Sequence, residues 1–226
     1  MRDVLKLPIS NSETLIISCD NSGGIGMKEQ DIVKVPYEVT AYYSFRVAVM
    51  ECMAAGAKPV AVTVQNFCGE AAWDDICTGV LAGQKELGLD IPITGSTESN
   101  FLLVQSALGL IVIGQWKGSV EINRMRKVAI IGQPLVGHEV IEKADRIAPL
   151  SLFKAVCEYE DVVVLPVGSK GIAHEWRKLS DTDIPDALRN QINVATSAGP
   201  STCFLISYPD HLEAELRKLA GVYFVG

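Results

Sequence analysis

The stretch Val39 to Phe67, VTAYYSFRVAVMECMAAGAKPVAVTVQNF, constrains the fold more than any other part of this sequence. From Val39 to Ala55 nearly every position is apolar or small, so a helix here has no broad polar face and must be covered on most sides. Gly56 supplies a natural helix stop, and Pro59 prevents the helix from resuming. Val60 to Val64 then shows the β-branched alternation of a strand. Only Arg46 and Glu51 are charged within the helix. An ionised carboxylate buried there costs several kcal/mol unless something offsets it. Two readings stay open for Glu51: it lies on a solvated edge or pairs with Arg46, or it binds a metal. The five-residue separation is poor spacing for the pair.

At 226 residues and 48% hydrophobic content the chain can bury a real core in one large or two small domains. A net charge of -7 without any Lys/Arg run argues against nucleic acid or an anionic membrane as the main partner. The N-terminus MRDVLKLPIS lacks a signal-peptide core, and the apolar run Ala107 to Ile113 is too short to span a bilayer. A cytoplasmic protein is expected. Its six cysteines (Cys19, Cys52, Cys68, Cys77, Cys157, Cys203) form no CxxC pair, which indicates reduced thiols rather than a zinc or disulfide framework. A mean hydropathy of +0.23 is high for a monomer and points to apolar surface buried between subunits of a homodimer.

Leu15 to Cys19 reads as a strand that delivers Asp20 at its carboxyl end. The glycine-rich segment Asn21 to Asp31 follows, without the phosphate-loop or dinucleotide fingerprints, and reads as a mobile loop or lid. Ala71 to Leu87 reads as a helix with Trp73, Ile76, Val80 and Leu87 on one face and Asp74 and Asp75 in its first turn. Ile91 to Ile93 is a brief strand entering a polar turn, Thr94 to Asn100, whose single acid is Glu98. Leu102 to Gly114 resumes strand character, broken or bulged at Gly109.

The charged stretch Glu121 to Arg126 is the expected boundary, giving domains 1–122 and 123–226. The second half alternates strands (127–131, 162–167, 203–207, 222–225) with helices (138–147, 151–159, 172–179, 210–220), the pattern of a small α/β sandwich. Two of its loops, Gly168 to Gly171 and Ser197 to Thr202, read either as plain turns or as anion-holding turns aided by Lys170. His138, His174 and His211 are too scattered for a metal cluster.

Taken together, the strand with Asp20, the helix ending AAGAKP, the TGSTE turn and the strand ending VIG resemble the aminoimidazole ribonucleotide synthetase (PurM-like) superfamily. The resemblance implies an α+β fold whose N-terminal domain closes a β-barrel with its dimer mate, followed by a smaller α/β domain. It also implies ATP and magnesium as cofactors. Position by position, Cys19-Asp20 falls on a Thr-Asp pair and Met50-Glu51 on an Asn-Asp pair, making Asp20 and Glu51 metal ligands. Thr94 to Thr97 falls on a Gly-Gly-acid-Thr motif in which Ser96 replaces the acid, with Glu98 as a compensating third ligand. Nucleotide contacts fall to Asn21, Gly23, Gly24, Gly95 and Thr97, and Lys28 would neutralise charge on the transferred group.

Simple electrostatics is consistent with a cation among these acids. Two carboxylates about 4 Å apart repel by roughly 4 kcal/mol at an effective dielectric of about 20. Oxygen-only ligands favour magnesium completed by substrate phosphates. Within the superfamily, MRDV, DNSGGIGMKEQD and VPYEVTAYYSFRVAVMEC are similar to the α-ribazole kinases of cobalamin lower-ligand salvage. The resemblance leaves room for another kinase or ligase of the same fold, of thiamine-monophosphate kinase or aminoimidazole ribonucleotide synthetase type, and for a non-catalytic nucleotide-binding protein.

Overall fold

The computed structural model describes residues 4–118 and 126–226, and the chain divides into two compact units, Arg2–Gly118 and Ser119–Gly226. The expected boundary stretch, Glu121 to Arg126, lies outside the described residues except for Arg126.

The first unit runs β1 (Val4–Pro8), β2 (Thr14–Gly23), β3 (Ile25–Gly26), β4 (Val33–Lys34), α1 (Tyr37–Ala54), β5 (Ala57–Asn66), α2 (Trp73–Leu87), β6 (Ile93–Thr97) and β7 (Ala107–Trp116). Among the described residues its main sheet has five strands in the order β1-β2-β7-β5-β6. All neighbours are antiparallel except β5 and β6, while β3 and β4 form a small parallel pair of their own. The result is an α+β unit in which the described strands close no barrel within one chain.

Helix α1 lies on this sheet, where Ser18 Oγ donates to the Ala48 carbonyl at 2.7 Å. Its other side meets α2 at glycines: a Cβ on Gly79 would fall 2.1 Å from the Glu38 carbonyl oxygen, and one on Gly83 2.5 Å from the Phe45 ring. Sheet on one side and α2 on the other explain why α1 needs no polar face. Arg46 is 1% exposed. Burial pulls its guanidinium below the usual value, opposed by Tyr42, Glu86 and Tyr43. Tyr42 in turn donates to Glu86 Oε2 at 2.7 Å. A carboxylate acting on the Arg46 charge therefore comes from α2.

Three elements differ from the sequence reading. β2 runs on to Gly23, so Asp20 lies inside a strand, because β7 offers pairing partners as far as Gly23–Ala107. Thr94 to Thr97 form strand β6 rather than a turn, held parallel to Thr63–Asn66 of β5. β7 is unbroken at Gly109, where a Cβ would meet Gln65 Oε1 at 2.7 Å, and the irregularity falls instead in β5 between Pro59 and Ala61. In each case a long neighbouring strand overrides local polarity.

The sheet face away from α1 carries Leu5, Ile17 and Ile113 in register across β1, β2 and β7, and then Cys19 opposite Ile111. Leu5 is 58% and Leu7 40% exposed, and Cys19 is exposed as well.

The second unit runs β8 (Lys127–Gly132), α3 (Glu139–Glu142), α4 (Leu150–Cys157), β9 (Val163–Pro166), α5 (Ile172–Leu179), α6 (Asp186–Gln191), β10 (Cys203–Tyr208), α7 (Glu213–Ala220) and β11 (Phe224–Val225). Its described strands form an antiparallel sheet, β11-β8-β10-β9. Trp176, Leu179, Leu188 and Ile192 pack with Ile130 and Leu205 in one core cluster. The expected helix 138–147 is instead the single turn α3 and a 3-10 turn, Ala144–Arg146. Only Val140 is buried in α3 and nothing in the 3-10 turn, too little apolar surface to sustain a longer helix. Among the described residues no helix is long and apolar enough to cross a membrane.

Candidate functional site

Strands β2, β5 and β6 finish at one end of the first sheet, where β7 begins: Ser22 and Asn66 both face Leu108, and Asn66 faces Thr97. Asp20 stands two residues inside that end and points toward α1, where Ser44 shares a hydrogen bond with it. Burial pushes its carboxyl up to about 6, against the Ser44 and Asn21 backbone donors that work to lower it. The same seam between β2 and α1 contains the hydroxyls of Ser22 and Thr40, both buried and without a hydrogen-bond partner. An acid held this way gains from a cation or a proton.

β1 pairs with β2 only from Thr14 to Ser18. Among the described residues, Cys19 to Gly23 are therefore bonded on one side only, to β7, leaving the exposed Asn21 and Gly23 on an open edge. Gly24 behaves differently. It turns the chain at φ 69°, its N–H donates to the Ser106 carbonyl at 2.8 Å, and its carbonyl accepts from Ile32 and Val33. Its amide is thus committed to the fold, and the phosphate cradle expected there shrinks to Asn21 and Gly23.

The segment after Gly24 is anchored rather than a free lid. Asp31, 6% exposed, accepts from Ser106 N and Ser106 Oγ at 2.6 Å each and from Lys28 N at 2.8 Å. Ser106 Oγ also lies 3.0 Å from the Tyr37 hydroxyl. Lys28 Nζ donates to the Phe67 carbonyl at 2.8 Å, so the lysine reaches the end of β5. Asp31 and Ser106 were missed in the sequence because they are 75 residues apart, and only the tertiary fold pairs them.

At the end of β6, Thr97 Oγ1 accepts from Asn66 Nδ2 at 3.1 Å. Gly95 permits close packing, since a Cβ would sit 2.2 Å from the Val64 carbonyl oxygen. Glu98 Oε1 accepts from the backbone N–H groups of Asn100 (2.7 Å) and Phe101 (3.2 Å), which makes it the cap of its own turn. Glu51 lies seven residues beyond Ser44 on α1, about 10 Å of helix rise, and its Oε2 is buried. Among the described residues no three His, Cys, Asp or Glu side chains gather closely enough to hold a metal ion. Asp20 sits at Ser44 and Glu51 about 10 Å further along the helix, so the two carboxylates expected to share an ion do not meet. The donor set fits a cation bound through Asp20 only if phosphate oxygens and water complete its shell, which is magnesium's usual habit.

In the second unit the two glycine-containing turns touch each other, because the Gly168 carbonyl accepts from both Gly171 and Ala198. Thr202 Oγ1 donates to the Gln133 carbonyl at 2.8 Å and accepts from Leu135 N. A cleft of about 290 Å³ on this unit is lined by Gln133, Asp145, Arg146 and Tyr223 among others, and by none of the residues selected from sequence.

No protein-family model matches this sequence, and no curated protein matches it. Solved structures do. A thiamine monophosphate kinase from Aquifex aeolicus superposes with a TM-score of 0.60 at 14% identity, over 93% of this chain and 84% of that one. AaThiL complexed with AMPPCP and TMP gives 0.59 at 13% identity, over 93% and 80%. T. maritima PurL complexed with ADP gives 0.61 at 11% identity, over 97% of this chain and 40% of its own. Identities this low show the fold alone. The chain has the PurM-like fold shared by these proteins.

Proposed function

We propose that this chain is an ATP-dependent kinase of a small nucleoside-like acceptor, with the primary hydroxyl of α-ribazole as the first acceptor to test. The observation carrying the reading is the convergence at one sheet end of the half-buried Asp20, of Asn21 and Gly23, whose one strand partner among the described residues is β7, and of Lys28. It occurs in a fold for which the solved relatives include proteins complexed with AMPPCP and with ADP.

Phosphoryl transfer asks little covalent chemistry of a protein, so positioning and charge neutralisation suffice. Asp20 would hold magnesium together with phosphate oxygens and water, and the metal neutralises phosphate charge when bound. The open edge of β2 would offer backbone N–H groups to phosphate oxygens, and Lys28 would leave the Phe67 carbonyl for the transferred group. The α-ribazole assignment rests on the sequence resemblance, and a cytoplasmic location on cysteines that form no CxxC pair and read as reduced thiols. We also propose a homodimer, in which the face bearing Leu5, Leu7, Ile17 and Ile113 meets its equivalent and the barrel closes.

Incubation with magnesium-ATP and α-ribazole should yield ADP and a monophosphate in equal amounts. Folded, ATP-binding protein that produces neither would transfer the assignment to a sibling kinase or ligase of the fold. Sedimentation at micromolar concentration should give a dimer, and a stable monomer would remove the barrel from the reading.

A further inference from the structure

The most completely bonded side chain near the candidate site belongs to a residue with no assigned role. Asp31 uses both carboxylate oxygens: Oδ1 accepts from Ser106 N, and Oδ2 accepts from Ser106 Oγ and Lys28 N. Ser106 is the residue immediately before β7, so these bonds fasten the segment after β3 to the start of a central strand. The Lys28 carbonyl is held as well, accepting from Asp31 N at 3.1 Å and from Lys34 Nζ. Both backbone polar groups of Lys28 are therefore fixed, and its side chain ends on the Phe67 carbonyl, beside the last residue of β5. Gly26 makes this packing possible, since a Cβ there would lie 2.6 Å from both Ser106 Oγ and the Tyr37 ring.

We propose that Asp31 is a positioning residue: it sets the Lys28 ammonium at the end of the sheet, where the phosphates of the nucleotide would be received. The proposal rests on the reading of Lys28 given above. It adds that a rigid carboxylate clamp, rather than a closing lid, supplies the geometry. A lysine has four rotatable carbons and is oriented only as well as its backbone is held. Asparagine cannot replace the clamp. Both carboxylate oxygens receive donors, and an amide presents an N–H₂ to one of them.

The test compares wild type, Lys28→Ala, Asp31→Asn and the double variant, measuring magnesium-ATP affinity, turnover with α-ribazole, and trypsin cleavage after Lys28. Lys28→Ala should weaken ATP binding or turnover about 10-fold or more, and Asp31→Asn should do nearly the same, as loss of an orienting partner does. The double variant should match Lys28→Ala alone, and Asp31→Asn should speed trypsin cleavage after Lys28 by about 10-fold. Ser106→Ala, which removes one of the three bonds, should shift every readout the same way by less, and it serves if Asp31→Asn does not fold. Effects of Asp31→Asn that simply add to those of Lys28→Ala, or wild-type cleavage with wild-type turnover, would overturn the proposal while leaving Lys28 intact. A silent Lys28→Ala would instead overturn the reading of Lys28, and the proposal with it.

Discussion

Asp20, half-buried, and Asp31, buried, are eleven residues apart at the same end of one sheet, yet they are held in opposite ways. Burial raises the Asp20 carboxyl to about 6, and its donors do not compensate. Burial works on Asp31 too, but the Ser106 and Lys28 donors, helped by the charge of Lys34, hold it below the ordinary value. Asp31 is a finished piece of structure. Asp20 is an acid whose fold leaves it wanting a positive partner, next to two buried hydroxyls without partners. A fold keeps such a residue at a cost in stability where the residue serves a ligand.

The largest expected effect is on ligand binding. Asp20→Asn keeps the shape and removes the charge, so magnesium-dependent ATP affinity should fall about 100-fold, the scale set by losses at metal sites. Unchanged affinity in Asp20→Asn, by calorimetry, would erase the contrast between the two aspartates.

The same variant should be more stable than wild type without ligand. Because the folded value, about 6, lies above the unfolded 3.8, ionised Asp20 destabilises the fold by up to about 3 kcal/mol at pH 8. The penalty shrinks as pH falls through 6 and vanishes below about 3.8, so the gain from Asp20→Asn should disappear at pH 3. Urea unfolding at both pH values measures this, and a gain independent of pH would mean that the charge is not its source.

Asp31→Ala should act in the opposite direction, costing about 1–3 kcal/mol at pH 7 because three donors lose their acceptor. A lowered carboxyl gives stability that is present above the unfolded value and is lost as pH falls through the folded one, so this loss should fade below pH 3.8. Equal losses at pH 7 and in strong acid would place the effect in packing instead.

Glu98→Ala should have the smallest effect, within about 0.5 kcal/mol of wild type, since the carboxylate caps only its own turn. ATP affinity should not move. A fall comparable to that of Asp20→Asn would return Glu98 to the metal set.

Residue pattern alone determined several things here: the helix expected over Val39 to Ala55 and found at Tyr37–Ala54, its arrest at Gly56, the strand after it, the helix expected over Ala71 to Leu87 and found at Trp73–Leu87, and the α5 helix of the second unit. These follow from periodicity and from glycine and proline, which act over a few residues. Asp20 was singled out in the sequence through the motif around it, as the metal ligand proposed above. Contacts between distant segments were decided only in the tertiary structure. The reach of β2 to Gly23 depends on β7, the offset of the Arg46 charge on Glu86, and the clamp at Asp31 on Ser106. Glu98 shows the limit from the other side: the motif assigned it to a metal, and two backbone N–H groups within three residues of it claim its oxygen. A carboxylate's role depends on which donors or cations the fold brings to it, and sequence spacing records only those that are local.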